Sequence, residues 1–337
     1  SSPHYYGQQA KSLLSHYRKR VASYFSAAAN QILFTSGGTE GADLCIRGLL
    51  PEKGAPRIIT SRLEHACVFE TCTKLAKQGA ELVYLPASSS GAIQVEDLER
   101  ELAKGKTDLI VLMAVNNETG VMNEWEKMSD LAKAAKVPFV VDGVALLGKE
   151  PFTIPDGVTA MFFSGHKIHA LQGTGFVYVK PRIKLHPQQL GGSQEFGMRG
   201  GTENLLGIAA LSRAVELLHE KLPSAASTMR HLRDTLEAAL LKIPGTSVNG
   251  SGKRVSNTTN IAFSGKDGET FLIALDRAGL ACSLGSACAS GAIEPSRILL
   301  EMGVPMGLAQ ASLRFSISRE TTYEEIEKAI QIIRLLA

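Results

Sequence analysis

No apolar run in the chain approaches the roughly 18 residues that a membrane span requires, and the opening SSPHYYGQQAK contains no apolar signal core. Neither a membrane-spanning protein nor a secreted one is expected. Excess charge of either sign is also missing. Thirty-six Lys and Arg face 33 Asp and Glu, and a net charge of +3 gives no electrostatic reason to expect nucleic acid or an anionic membrane as partner. Cysteines are few and odd in number: Cys45, Cys67, Cys72, Cys282 and Cys288. In a chain of 337 residues without a secretory signal, that argues against a disulfide framework and for a reducing, cytoplasmic compartment. Internal repeats and low-complexity linkers are absent too. What is present is an ordinary globular composition, 44% hydrophobic and 20% charged, long enough for one large domain and a smaller one.

The first two thirds alternate between short apolar runs and helical patterns. The runs are QILFTSG (31–37), PRIITS (56–61), AELVYLP (80–86), DLIVLMAV (108–115), PFVVDG (138–143), TAMFFSG (159–165) and TGFVYVK (174–180). They are continuously apolar, which suits strands buried on both faces of a mostly parallel sheet. Helical spacing occupies Glu40 to Leu50, Ala66 to Gln78, Val95 to Ala103 and Glu126 to Lys136. The alternation predicts an α/β fold whose ligands gather at the carboxyl ends of the strands. A helical stretch from Glu203 to Leu222 follows a glycine-rich segment. Beyond it the rhythm changes: a helix at 227–242, strands at VSNTTNIAFS and ASLRFSIS, and further helices. Residues 1–222 are expected to form a large α/β domain and residues 223–337 a smaller α+β domain.

Polar clusters fall just after the strand-like runs: TSGGTEG (35–41), LEHAC (63–67), NNETG (116–120), Asp142, and SGHK ending at Lys167. Taken singly, each has an ordinary explanation as a turn, a helix cap or a core histidine. Together they form a chemical set. SGGT before a helix offers backbone N–H groups and a hydroxyl to a phosphate. Asp142 is a carboxylate at a buried strand end and needs a cationic partner, such as a protonated pyridine nitrogen. Lys167, at the next strand end, can form a Schiff base with an aldehyde, and burial there is expected to tune its amine. His65 can supply a ring that stacks on the pyridine. This combination describes a site for pyridoxal 5'-phosphate. Two decoys are set aside. GVALLGKE (143–150) has the outline of a nucleotide-binding loop, but Glu150 stands where a hydroxyl residue must hold magnesium. The H-x-x-H of His166 and His169 and the H-x-C of His65 and Cys67 lack zinc-site spacing, so no metal is expected.

The motifs LFTSGGTE, ITSRLEHACVFETC, VNNETGV, VVDG, SGHKIH, GGSQEFGMRGGTEN, NTTNIAFSG, GSACASGAIEPSRILLEMG and SLRFSISRETT occur in that order over nearly the whole chain. In this it resembles the NifS/IscS-type cysteine desulfurases, relatives of the selenocysteine lyases in the class-V branch of fold-type-I pyridoxal phosphate enzymes. The resemblance implies a seven-stranded large domain, a homodimer, and L-cysteine as substrate. It implies that Lys167 holds the cofactor and shuttles protons at the substrate's α-carbon. His65 would stack on the ring and assist acid–base steps, and Asp142 would pair with the ring nitrogen. Gly38, Thr39, Ser164 and His166 would bind the phosphate, and Thr202 would reach the phosphate of the neighbouring subunit. Asn117 would lie beside cofactor and substrate, and Arg314 would clamp the substrate carboxylate with its planar fork. Cys288, in a loop of small residues, would take the sulfur as a persulfide and hand it to an acceptor or scaffold protein such as the iron–sulfur assembly machinery. Cys282 is read as structural.

The chain departs from the family at Ala145, where a glutamine ordinarily bonds the cofactor's phenolic oxygen, and the sequence begins after the family's upstream segment that borders the substrate. At this level a selenocysteine lyase or direct sulfide-releasing lyase, a class-V aminotransferase that has no need of Cys288, and a non-catalytic scaffold remain as alternative readings.

Overall fold

The computed structural model describes residues 3–285 and 294–337. In chain order its elements are α1 (Tyr5–Tyr24), β1 (Ile32–Thr35), α2 (Gly38–Leu49), β2 (Arg57–Ser61), α3 (Ala66–Ala76), β3 (Glu81–Leu85) and α4 (Val95–Ala103). Then come β4 (Leu109–Met113), α5 (Trp125–Ala135), β5 (Phe139–Asp142), β6 (Ala160–Ser164), β7 (Gly175–Val179) and α6 (Leu205–Leu240). The seven strands form one sheet in the order β1-β7-β6-β5-β4-β2-β3. Only β7 runs against the others, pairing antiparallel with β1 and β6, and the rest are parallel. All seven expected strands are present, and the mostly parallel sheet follows from their continuous burial: every residue of β4, β5 and β6 is buried.

Adjacent residues of a strand face opposite sides, so Phe162 and Phe163 build different layers. On the Phe162 side, Leu44 and Cys45 of α2 and Val68 and Cys72 of α3 pack with Leu33 and Val177. On the other side Phe163 stacks on Phe176 at 4.7 Å between ring centroids and on Phe25 at 5.3 Å. Each fully buried ring contributes roughly 1.5–3 kcal/mol through the area it removes from water. Gly175 carries a specific constraint. A Cβ there would lie 2.7 Å from Gly37 Cα and 2.6 Å from the Phe163 carbonyl oxygen, so only glycine lets the loop before α2 rest on β7.

The chain divides into two compact units. The first comprises residues up to Leu85, Val95–Ala114 and Glu124–Leu222; the second comprises Pro86–Gln94, Val115–Asn123 and Pro223 onward. The division is therefore not a single cut in the chain. The segment Val115–Asn123 joins the second unit through backbone bonds from Met122 N–H to Lys253 O (2.7 Å) and from Val255 N–H to Gly120 O (2.8 Å). The second unit holds β8 (Thr246–Val248), β9 (Thr258–Phe263), α7 (Gly268–Arg277), β10 (Ser283–Leu284), α8 (Arg297–Glu301), α9 (Met306–Gln310), β11 (Ser312–Ser316) and α10 (Tyr323–Leu336). Its sheet is antiparallel, ordered β10-β11-β9-β8. Its core gathers Phe263, Phe271, Leu313, Phe315 and Ile333.

Two local expectations are corrected. The helices expected at Glu203 to Leu222 and at 227–242 are one helix, α6, which continues through Pro223. Leu222, Ala226, Met229, Leu232, Leu236 and Leu240 are all buried at helical spacing. That burial offsets the roughly 3 kcal/mol that an interior proline costs. None of the expected elements corresponds to α1, a helix with few buried residues, among them Arg18, Val21 and Ala22. Among the described residues no helix is long and apolar enough to cross a membrane.

α1 is tied to the sheet by charge. Arg18 forms a two-pronged pair with Glu195 at 2.5 and 2.6 Å and donates to the Ile32 carbonyl at 2.7 Å. Glu195 also accepts from Phe34 N–H of β1 at 3.0 Å. Both side chains are almost fully enclosed, with exposures of 7% and 1%. Removing one partner strands the other charge in the interior. Arg18→Ala is expected to destabilise the protein by about 3–5 kcal/mol, read as a lowered urea midpoint with an unchanged m-value.

Candidate active site

Along the carboxyl edge of the seven-stranded sheet, the ends of β2, β5 and β6 and the start of α2 carry most of the residues singled out above. β5 ends on Asp142, paired with Met113 of β4 on one side and Phe162 of β6 on the other. Central strand placement buries its carboxylate to 5% exposure. It accepts one hydrogen bond, from Val144 N–H at 2.9 Å, and no cation among the described residues pairs with it. Burial pushes its pKa up to about 7 despite that bond.

β6 ends on the buried Ser164, and a 3₁₀ turn from Gly165 to Ile168 follows. Ser164 Oγ lies 2.9 Å from His166 Nδ1. Burial, with the neighbouring Lys167 ammonium, holds His166 below its ordinary pKa, so the ring is neutral at pH 7. Lys167 lies on this turn and is exposed in the single chain, where burial had been expected. Its carbonyl accepts from Lys149 Nζ at 3.0 Å. The lysine of the decoy GVALLGKE therefore clasps the backbone of the Lys167 turn.

α2 starts at Gly38, and Gly37 before it offers no side chain to cap the first N–H groups. The loop lies against Ser164: a Cβ on Gly38 would be 3.5 Å from Ser164 Cβ and 3.0 Å from Val144 Cγ2. Thr39 is exposed on the first turn. Uncapped N–H groups, Thr39, Ser164 Oγ and a neutral imidazole are donors of the kind a phosphate takes. One nearby donor is already spent. Ser36 N–H donates to Glu40 Oε2 at 2.7 Å, while Glu40 Oε1 accepts from Arg199 Nε at 2.7 Å. Burial alone would raise Glu40, but the bonds from Arg199 and Ser36 hold it below the usual carboxylate range. Arg199 thus neutralises an acid in the first turn of a helix whose positive end faces the phosphate donors. Sequence reasoning missed this pair, although an acid in SGGTEG and an arginine in GMRGGT were both visible.

His65 caps α3, with Nδ1 accepting from Cys67 N–H at 3.2 Å. That holds the ring in the loop between β2 and α3. Cys67 and Cys72 are pushed up by burial and held as thiols. Thr202 lines a cavity of about 90 Å³ with Thr35, Ser36, Gly175, Arg199 and Asn204.

Asn117 and Arg314 lie in the second unit. Arg314 is on β11, opposite Asn260 of β9 and Ser283 of β10. Its Nη1 donates to the Asn117 carbonyl at 2.9 Å. Arg314 Nε and Asn117 Oδ1 are both buried without a partner among the described residues. An unpaired buried guanidinium N–H costs free energy until an acceptor arrives, so Arg314 Nε is suited to an anionic ligand, while Asn117 Oδ1 is suited to a donor group. Cys282 is pushed up to about 12 by burial, aided by Asp276, which disfavours its thiolate. Cys288 lies outside the described residues.

The first-unit set fits pyridoxal phosphate. The buried, unpaired Asp142 suits a protonated ring nitrogen, and the Gly37–Gly38 turn with Ser164 and His166 suits the phosphate. Lys167 offers an amine at the same edge. Ala145, half-buried after β5, offers no side-chain hydrogen bond to a ring oxygen.

The family model for class-V aminotransferases matches residues 1–329. Cysteine desulfurase 2 of Trichormus variabilis is 41% identical over 337 residues, covering 99% of this chain and 84% of that protein. The cysteine desulfurase IscS of Dictyoglomus turgidum is 35% identical over 339 residues, covering 99% and 86%. A solved NifS-like protein superposes with a TM-score of 0.92 at 31% identity, covering 99% of this chain and 90% of the other. DndA from Streptomyces lividans superposes at 0.79 with 33% identity, covering 94% and 90%.

Asp142 makes a pH prediction for the cofactor-free protein. Its folded pKa of about 7 lies above the unfolded value of about 4, so between these the unfolded state releases the proton and the folded state keeps it. The Asp142 contribution to stability therefore falls as pH rises from about 4 to about 7. Urea unfolding across that range is expected to show a steeper loss in the wild type than in Asp142→Asn.

Proposed function

The chain belongs to the class-V aminotransferase family, and we infer that within it the protein is a pyridoxal-phosphate-dependent cysteine desulfurase, converting L-cysteine to L-alanine. The observation that carries this reading is Asp142: a buried carboxylate without a described cationic partner, on the strand beside the one that leads into Lys167. Full-length similarity to cysteine desulfurases supports the choice of reaction.

When bound, pyridoxal phosphate supplies an electron sink for bonds broken at the substrate's α-carbon. Asp142 holds a positive charge at the ring nitrogen, and a cation there returns its own pKa toward the ordinary range. Ser164, His166, Thr39 and the N–H groups around Gly38 bind the phosphate, with Thr202 serving the phosphate of a second copy in a homodimer. His65 stacks on the ring. Lys167 Nζ anchors the cofactor and carries the proton to and from the α-carbon. Arg314 receives the substrate carboxylate on its orphaned N–H, while Asn117 Oδ1, an acceptor, takes a donor group of the cofactor or substrate. The Cys288 thiolate attacks the substrate sulfur. The S–S bond forms as the substrate C–S bond breaks, and the electron pair stays with the carbon skeleton, which takes up a proton and leaves as alanine. The persulfide on Cys288 then passes to an acceptor or scaffold protein. The reducing cytoplasm is the compartment that fits this chemistry.

Protein supplied with pyridoxal phosphate is expected to show a visible absorption band that shifts on L-cysteine, with the lysine-linked band missing in Lys167→Ala. Alanine formation is expected to fall more than about a hundredfold in Cys288→Ser while the L-cysteine spectral shift persists. No visible band after incubation with the cofactor sinks the reading. Turnover of selenocysteine without persulfide on Cys288 replaces it with a lyase.

A further inference from the structure

The NNETG loop contributes more than Asn117. Its third residue, Glu118, is only 5% exposed and sits where two distant parts of the chain meet. Asn116 Oδ1 folds the loop by accepting from Glu118 N–H at 2.9 Å and Thr119 N–H at 3.0 Å. The sheet then grips the turn by its backbone. Asn260 Nδ2 of β9 donates to the Glu118 carbonyl at 3.2 Å, and Arg314 of β11, paired with Asn260, holds the Asn117 carbonyl. With its backbone fixed on both sides, Glu118 projects its carboxylate onto Ser296, the N-cap of α8, whose Oγ donates to Glu118 Oε2. At the same point the chain leaves β10 through Gly285. A methyl group on Gly285 would collide with the Glu118 carboxylate and lie 2.8 Å from Ser296 Cβ. Gly285 and Ser296 are the two ends of the stretch that contains Cys288.

We propose that Glu118 is a positioning residue that clamps together the two ends of the Cys288-bearing segment, so that sulfur transfer depends on it more than cysteine binding does. The proposal rests on the desulfurase reading for its kinetic consequence, and on geometry alone for the clamp. Glycine at 285 is what allows a carboxylate to fill the junction. Ser296 spends its one hydroxyl proton on Glu118 and still accepts from Leu299 N–H at 3.2 Å, so the clamp and the start of α8 share one side chain. Burial raises the Glu118 carboxyl, while Ser296 and the Arg314 and Arg297 charges pull the other way.

The test compares cofactor-loaded wild type, Glu118→Ala and Glu118→Gln. Amide exchange is followed at residues 280–285 and 296–302, persulfide on Cys288 by mass spectrometry in a single turnover, and L-cysteine affinity from the visible spectrum. In Glu118→Ala, exchange is expected to rise at both ends and persulfide formation to slow about ten- to a hundredfold, with affinity within about threefold. Glutamine, which still accepts from Ser296, is expected to keep the rate within about fivefold. Gly285→Ala reaches the same junction if Glu118→Ala fails to fold, and is expected to slow transfer likewise. Unchanged exchange at the two ends, an equal loss of affinity and rate, or a glutamine variant as slow as alanine would falsify the clamp. A wild type that forms no Cys288 persulfide overturns the desulfurase reading, and the exchange comparison then still decides the clamp.

Discussion

A carboxylate buried at the end of a central strand is the constraint on which the first unit turns. Asp142 has parallel strands on both sides and one backbone N–H to satisfy it. In that setting the ionised form is costly, and the group either keeps a proton or acquires a positive neighbour. The surrounding features match the second outcome. The flanking strand end leads into a lysine-bearing turn, and the adjacent helix start is left uncapped for an anion. The residues that would be poor choices for stability alone are the ones that make sense for a charged ligand.

Electrostatic balance around the helix start follows the same logic. Glu40 in the first turn of α2 favours the helix through the dipole, yet a free carboxylate would oppose a phosphate nearby. Arg199, brought from the glycine-rich segment, cancels it at 2.7 Å. The same segment supplies Glu195 to the buried Arg18. One irregular stretch therefore ties down both α1 and the first turn of α2 through charge pairs whose partners lie far apart in sequence.

The second unit solves a different problem, that of holding a loop still without burying unsatisfied backbone. The Asn117 and Glu118 carbonyls are each taken by a side chain from neighbouring strands. Regular antiparallel pairing places Asn260 and Arg314 side by side to do it. What remains unsatisfied is one donor, Arg314 Nε, suited to an anionic ligand, and one acceptor, Asn117 Oδ1, suited to a donor group.

The seven strands, the helices between them and the order of the polar clusters are legible in the sequence, because continuous apolar runs and helical spacing are local signals. The sequence also singled out Asp142, Ser164, His166 and Lys167 as neighbours at one edge, since strand ends are legible wherever a run of Val, Ile and Phe stops. Tertiary structure alone decided the rest. That α6 runs through Pro223 depended on burial of six side chains that propensity does not see. That Lys167 is exposed in the single chain depended on the turn after β6. Loop pairing with Lys253 and Val255 assigned Val115–Asn123 to the second unit, and the pairs Arg199–Glu40, Arg18–Glu195 and Glu118–Ser296 join residues more than a hundred positions apart. No local pattern encodes such partners, because a buried polar group is matched by whatever the fold brings within hydrogen-bond reach.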